Sequence, residues 1–391
     1  MVDLMGLERA ASIEDLRRRA RRRIPRFAFD LVDGGAESER NLRRNVEAFE
    51  EVQLTPRYMV DVSAIDTRAT LFDQTFDLPF GMAPIGMLNA FWPGADLILA
   101  RLCAAENIPY VASSAASTTL ERLAEAADGR GWFQLYVSGD AAVTESLVAR
   151  AEAADYKVMM VTADVPAAGK RDRDIRNQLS VPFRITPEVA LGLLAHPRWS
   201  LETLRHGKPG IANYADLLQA ATSYADVQKT LITPAFTWRD LARLRDRWRG
   251  TLLVKGVLHP DDALRCAEIG CDGIVVSNHG GRQVAFGPPT IEALPGVAKA
   301  VGGAVGDRMK IILDSGVRRG ADILRARALG ADFAFTGRAL AFGVGAGGAA
   351  GARRAMEILK LELARALGQL GAASFEAVGP SHVGVGVARM Q

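Results

Sequence analysis

The sequence predicts an α/β fold: a closed (β/α)8 TIM barrel with an N-terminal helical segment and a long insertion after the fourth strand. Three observations lead there. Eight short apolar segments, most of them rich in β-branched residues, follow one another from about residue 78. Stretches with apolar residues at helical spacing lie between them, and such alternation implies parallel strands with helices outside. The polar residues gather where the strands end, the face at which barrels of this type build their sites. An open doubly wound sheet is the alternative, but eight units and the absence of GxGxxG weigh against it.

Taken in order, the chain opens with LRRRARRRIPR, seven arginines between Arg17 and Arg26. This run reads as a solvated helix face, or as a surface attracted to anionic lipid or another acidic partner. The first four strands are expected in LPFGMAPIG, IPYVASSA, WFQLYV and KVMMVTADV, with DLILARLCAAEN and TTLERLAEAA as intervening helices. TLLVKGVL, GIVVSNHG, KIILDSGV and ADFAFTGR supply the fifth to eighth, with the helical PDDALRCAEIG between the first two of these. Residues 1–391 then form one barrel domain, a size the architecture accommodates. Residues 177–231 are an insertion of about 55 residues, and a barrel loop of that length needs a task. It combines VALGLL with Trp199, Arg198, Arg205 and Lys208. That composition suits a membrane-interface segment with aromatic and cationic residues at headgroup level; a lid or an oligomer contact is the other reading.

Composition narrows the function classes. A net charge of +3 over 391 residues with 49% hydrophobic content argues against a nucleic-acid binder. Cys103, Cys266 and Cys271 form no CxxC pair, which suits a reduced, cytoplasmic-side setting, and no metal site is expected. The N-terminus has no signal-peptide h-region, and no apolar run reaches the 18 residues of a spanning helix.

Ser113, Gln134, Tyr136, Thr162, Asp164, Lys255, His279 and Asp314 all fall at strand ends or just beyond. In SNHGGRQ, His279 can exchange a proton near neutral pH, the glycines admit close backbone approach, and Arg282 offers a fork for a carboxylate. Arg171, in PAAGKRDRD, is a second cation. Together they suggest an acidic small substrate deprotonated beside its carboxylate, with Asp164 pairing the imidazolium. The turns DSGVRRG and TGRA, after strands seven and eight, predict a phosphate on the cofactor or substrate. Lys255 either stabilises an anionic cofactor state or forms a Schiff base.

SNHGGRQ, DSGVRRG, FQLYV, LLVKG and APIGM, in this order, resemble the FMN-dependent 2-hydroxy acid dehydrogenase and oxidase family over residues 10–380. LNAFWP and HPRWSLETLRHGKPGIANY resemble the mandelate dehydrogenases of that family, whose corresponding segment attaches them to a membrane. No heme-binding extension precedes the barrel, so a flavocytochrome is not expected. The resemblance implies FMN as cofactor, His279 as base and Asp164 as its partner. It implies Arg171 and Arg282 as carboxylate clamps and Tyr136 as a hydrogen-bond partner of the substrate. Lys255 would sit at the flavin's pyrimidine edge, and Pro84, Ile85, Gly86, Ser113, Gln134, Thr162 and Ser277 would contact the ring. Asp314 would hold the ribityl chain, Ser315 and Gly316 would adjoin it, and Arg318, Gly337 and Arg338 would surround the phosphate. The expected partners are a 2-hydroxy acid, a membrane quinone or oxygen as electron acceptor, and further copies of the chain in a homo-oligomer. Location on the cytoplasmic side, peripheral on the inner membrane, follows from the same likeness. The expected reaction yields a 2-oxo acid, from an aromatic or bulky substrate because Ala115 and Ala168 stand where relatives carry larger side chains. Small aliphatic acids with oxygen as acceptor, a non-redox FMN isomerase and a binding protein without catalysis are the alternatives. One departure is plain: FDLVDGGAE places Leu31 where the family has a carboxylate-binding tyrosine.

Overall fold

The computed structural model describes residues 6–177, 186–207, 210–214 and 231–384. Eight parallel strands close a barrel, preceded by a small antiparallel hairpin of β1 (Ala69–Leu71) and β2 (Gln74–Phe76). The barrel strands are β3 (Phe80–Met82), β4 (Tyr110–Ser113), β5 (Gly131–Leu135) and β6 (Val158–Thr162). They continue with β7 (Thr251–Val257), β8 (Gly273–Val276), β9 (Lys310–Leu313) and β10 (Phe333–Thr336). The order β3 to β10 follows the sequence, and β10 pairs with β3 to close the ring. Seven strands lie inside their apolar segments, and β5 starts one residue before WFQLYV, at Gly131. Their side chains are buried on both faces, as parallel strands between a barrel interior and outer helices require.

The hairpin was not legible in the sequence. Its turn residues Phe72 and Asp73 both take left-handed backbone angles, φ 52° and 62°, without glycine. Phe72 and Phe76 pack on Trp132 at ring distances of 5.9 and 6.4 Å, and Phe76 reaches Phe333 at 5.7 Å. Trp132 and Phe333 lie at the N-terminal ends of their strands, so the hairpin stoppers the end of the barrel opposite the polar rim.

Between residue 13 and the hairpin lie the helices α1 (Ile13–Arg23), α2 (Arg26–Asp33) and α3 (Arg40–Glu51). A capping box between Ser12 and Asp15 starts α1, and Ile13, Leu16 and Ala20 bury one face. The arginine run is only partly a solvated face. Arg19 donates to the Ala346 carbonyl at 3.0 Å, which ties α1 to the helical segment Arg338–Leu370 just before its break at Gly347 and Gly348, and Arg17 reaches Asp33 at 2.6 Å.

The loop after β6 holds α4 (Asp172–Arg176), α5 (Pro187–Ala195) and α6 (Pro197–His206). Here the structure corrects one expectation. Trp199 does not face outward at headgroup level. It is buried, its ring edge-on to Phe27 at 5.8 Å and its Nε1 donating to the Phe91 carbonyl at 2.8 Å. An indole with a satisfied N–H inside a packed cleft is an anchor of the insertion to the barrel. The outward apolar residues of these helices are Leu191, Leu194, Leu201 and Leu204, and Arg198 and Arg205 are exposed beside them. Lys208, residues 178–185 and residues 215–230 of the insertion lie outside the described residues.

Candidate active site

At the C-terminal ends of the strands lies a cavity of about 690 Å³, within the range of small-molecule sites. His279 reaches it from the turn after β8. That turn holds three consecutive left-handed residues, His279 (φ 58°), Gly280 (φ 65°) and Gly281 (φ 72°). A side chain at 281 would lie 2.6 Å from the Leu42 backbone nitrogen, and one at 280 would lie 2.5 Å from the Arg338 guanidinium. The two glycines therefore let α3 and Arg338 close over the turn. His279 is the one bulky residue there, and its strained backbone is held by its N–H donating to Ser277 Oγ at 3.1 Å.

The amide cluster behind this turn escaped the sequence reading. Asn278 and Asn45 exchange hydrogen bonds of 2.7 and 2.8 Å, and the Asn278 side chain accepts from Gly281 N at 3.0 Å. Asn41 joins them, donating to the Val284 carbonyl at 2.8 Å. The available signal was the i,i+4 pair of asparagines in NLRRN, set on one helix face opposite the asparagine of SNHGG.

The imidazole is held from both sides. Nδ1 lies 2.8 Å from Asp164 Oδ1, and Nε2 lies 3.2 Å from the Tyr136 hydroxyl. The other Asp164 oxygen takes the Lys255 ammonium at 3.1 Å. With Nδ1–H donating to Asp164, the Lys255 contact to Nδ1 at 3.4 Å is two donors side by side, so the pair is oriented by the shared carboxylate. Burial pushes the Asp164 carboxyl up, but the neighbouring His279 and Lys255 charges outweigh it and hold it at about 2. Burial lowers the His279 pKa, with Asp164 only partly opposing, which favours the neutral ring and Nε2 as an acceptor. Burial raises the Tyr136 phenol to about 12, which keeps it a donor. Burial also disfavours the Lys255 ammonium, yet Asp164 and Asp314 raise its pKa overall. A lysine held charged is a poor Schiff-base nucleophile, which favours its role as a fixed cation.

Arg171 and Arg282 both line the cavity. Arg171 Nε lies 3.2 Å from Asp174, a lining carboxylate that the sequence reading did not single out although it stands at i+3 in KRDRD. Arg282 is braced by a 2.8 Å bond to the Gly34 carbonyl. Leu31 lines the same cavity, from α2. Pro84, Ile85, Gly86, Thr162, Asp314, Ser315, Gly316, Arg318, Gly337 and Arg338 are all on the lining. Ser113, Gln134 and Ser277 are buried behind it. Ser113 donates to Gln134 at 2.8 Å and Gln134 donates to Thr162 Oγ1 at 2.8 Å, so the chain orients Thr162 from beneath. An apolar wall of Ala115, Val165, Ala168, Ile175, Ile211 and Ile232 completes the space.

A barrel whose strand ends carry a carboxylate-oriented histidine, a buried charged lysine and two rim arginines defines a class of enzymes that oxidise small hydroxy acids. The chain belongs to the FMN-dependent dehydrogenase family, whose model matches residues 20–385. It is 36% identical to the (S)-mandelate dehydrogenase of Pseudomonas putida over 376 residues, 95% of this chain and 93% of that one. It is 39% identical to a putative L-lactate dehydrogenase of Mycobacterium tuberculosis, over 96% of this chain and 89% of the relative. Among solved structures, a monotopic membrane protein (S)-mandelate dehydrogenase matches with a TM-score of 0.90 and 34% identity, covering 96% of this chain and 99% of that one. The chain is therefore an FMN-dependent oxidoreductase of the 2-hydroxy acid dehydrogenase family.

The residues present fit that cofactor. Burial lowers the Arg318 guanidinium to about 10, and burial together with Arg282 and Arg318 pushes Arg338 well below its usual range. Neither makes an ion pair among the described residues; Arg338 spends its fork on the Val32, Gly280 and Gly34 carbonyls. Desolvated cations beside the bare backbone of Gly316 and Gly337 suit a phosphate, whose charge would offset their burial.

Proposed function

We propose that this enzyme oxidises an aromatic or bulky 2-hydroxy acid to the 2-oxo acid. The observation that carries the reading is His279, with Nδ1 held by Asp164 at 2.8 Å and Nε2 turned toward Tyr136 in the cavity. Arg171 and Arg282 bind the substrate carboxylate as a bidentate-capable pair of forks. Tyr136 donates a hydrogen bond to the substrate oxygen. Nε2 accepts the proton that the 2-hydroxy acid loses, and Asp164 stabilises the imidazolium formed. FMN supplies the two-electron acceptor, and Lys255 offers a positive charge to the reduced form. The apolar wall, with only methyl groups at Ala115 and Ala168, leaves room for a large side chain.

The reading extends to location. Leu191, Leu194, Leu201 and Leu204 are 67%, 78%, 48% and 80% exposed, an apolar face that water penalises and a membrane interface accepts. No helix among the described residues is long and apolar enough to cross a membrane, so contact would be peripheral. The similarity to a monotopic membrane protein supports this, and a lipid-soluble quinone is then the natural acceptor. At its far end the insertion contributes Ile211 to the cavity wall, so the same segment serves as part of a lid. A homo-oligomer remains part of this proposal.

The experiment is anaerobic flavin reduction across mandelate-like acids, lactate and glycolate, followed by admission of oxygen. Faster reduction by mandelate-like acids and slow reoxidation by oxygen fit the proposal. The similarity to proteins named L-lactate dehydrogenase favours a second reading, small aliphatic acids, and faster reduction by lactate would select it.

A further inference from the structure

Arg171 and Arg282 stand on different loops, the first after β6 and the second after β8. Arg171 is held by Asp174 at 3.2 Å and Arg282 by the Gly34 carbonyl at 2.8 Å, so each is braced by its own neighbours. Their charges meet on one target: burial raises the Tyr136 phenol to about 12, and the charges opposing that rise include Arg282 and Arg171. Two guanidinium groups sharing a cavity repel each other until an anion lies between them.

Gln283, the residue after Arg282, joins the two loops. Its Oε1 accepts the Gly169 N–H at 2.6 Å, two positions before Arg171. Only the carbonyl end of the amide can accept, so that bond sets its orientation. The approach is backbone-tight. A side chain at 169 would lie 2.2 Å from the Arg282 carbonyl oxygen and 2.8 Å from Gln283 Cα, so a bare glycine lets one arginine-bearing loop lie on the other.

The loop after β8 is the fixed side of this joint. Gly281 N donates to the Asn278 side chain at 3.0 Å, the Gly281 carbonyl accepts from Ala36 N at 2.8 Å, and the Val284 carbonyl accepts from Asn41 at 2.8 Å. On the other side, the Lys170 carbonyl accepts from Glu37 N at 2.7 Å. Ala36 and Glu37 thus brace the two loops in turn, and Gln283 ties one to the other; Gln283 and Gly169 both line the cavity.

We propose that Gln283 is a positioning residue that sets the spacing of Arg171 and Arg282 and so pre-organises the pair for a single carboxylate. The inference rests on the reading that these arginines bind the substrate carboxylate. A displacement of about 1 Å in a pre-organised site can cost about 10²-fold, which makes a tether between the loops a determinant of substrate binding.

The test compares a 2-hydroxy acid with its methyl ester, which keeps the hydroxyl and side chain but lacks the charge that the arginines hold. The holoenzyme is assayed on both beside Gln283→Met and Gln283→Asn, the latter an amide one methylene too short, with flavin absorbance reporting bound cofactor. A hydrogen bond to a charged group accounts for roughly 10- to 100-fold in binding. The acid-to-ester ratio of kcat/KM should fall at least about tenfold in both variants, chiefly through KM for the acid. The Kd of the 2-oxo acid product, titrated by perturbation of flavin absorbance, should rise by the same factor. Gly169→Ala forces the loops apart with Gln283 intact, so it should lower the ratio too. Gly169→Ala/Gln283→Met should then lose less than the product of the single losses. Equal losses for acid and ester would leave Gln283 a packing role only and overturn the proposal. A normal ratio in Gly169→Ala beside a reduced one in Gln283→Met would place Gln283 against the substrate itself and overturn the positioning role. A parent enzyme with no preference for the acid overturns the carboxylate clamp on which the proposal rests.

Discussion

Asp164→Asn is the most informative substitution, because both oxygens of the carboxylate are in use. One accepts Nδ1–H of His279 at 2.8 Å and the other accepts the Lys255 ammonium at 3.1 Å. An asparagine offers one acceptor. With its carbonyl toward Nδ1–H, its NH2 confronts the ammonium. Turned the other way, it donates to Nδ1 and forces the proton onto Nε2, the atom that must be free to act as base. Either way the imidazolium loses a negative neighbour. A charge at this range moves a pKa by ~1–3 units, and each unit is about 1.4 kcal/mol. Flavin reduction by the preferred acid should fall roughly 10- to 10³-fold, with bound FMN retained. Anaerobic stopped-flow bleaching of the flavin measures it. The pH profile gives a second readout. Burial already lowers the His279 pKa, so the parent's acid limb lies below the ordinary value of about 6.5. Removing Asp164, the one carboxylate opposing that shift, moves the limb further toward acid. A rate loss under about threefold, or a limb that moves upward, would refute the assignment of Asp164 and His279 as a working pair.

Leu31→Tyr restores a donor at the cavity wall; a hydrogen bond to a carboxylate is worth ~1.5–3 kcal/mol, so KM for small hydroxy acids should drop roughly 10- to 100-fold. An unchanged or higher KM would mean that the wall has been rebuilt around another substrate. Asp96 is fully buried, and burial pushes its carboxyl up to about 7. The folded state then holds a proton that the unfolded chain releases above about pH 4, so stability declines as pH rises from there toward 7. Asp96→Asn should stabilise the fold at about pH 8 by no more than about 4 kcal/mol, read as a higher Tm, and do little at about pH 4; equal Tm gains at both would contradict it. Trp199→Ala removes the insertion's buried anchor, and truncations of this kind cost about 3–5 kcal/mol. Limited proteolysis should then cut residues 186–207 much faster while the barrel stays intact. Unchanged cleavage would show that other contacts hold the segment.

The sequence alone determined the barrel and most of its rim. Each parallel strand is a short apolar run with turn residues at its ends, and the chemistry sits at a position the topology reserves for it, so LLVKG and SNHGG could be read in place. It also named the residue types of the site. It could not supply their mutual geometry: Asp164, Lys255 and His279 lie 91 and 115 positions apart along the pairs that bond, and only closure of the ring brings one carboxylate between two partners. The β1–β2 hairpin stayed hidden because its three-residue strands turn on Phe72 and Asp73, where no glycine marks the left-handed backbone. Composition suggested that Trp199 lies outside; the fold buried it, because Phe27, Phe91 and a free carbonyl together offered the indole both apolar contact and a hydrogen bond. A residue's identity records what it can do, while its partners are set by segments distant in the chain, and for Trp199 and the leucines beside it those partners decided which surface faces the solvent.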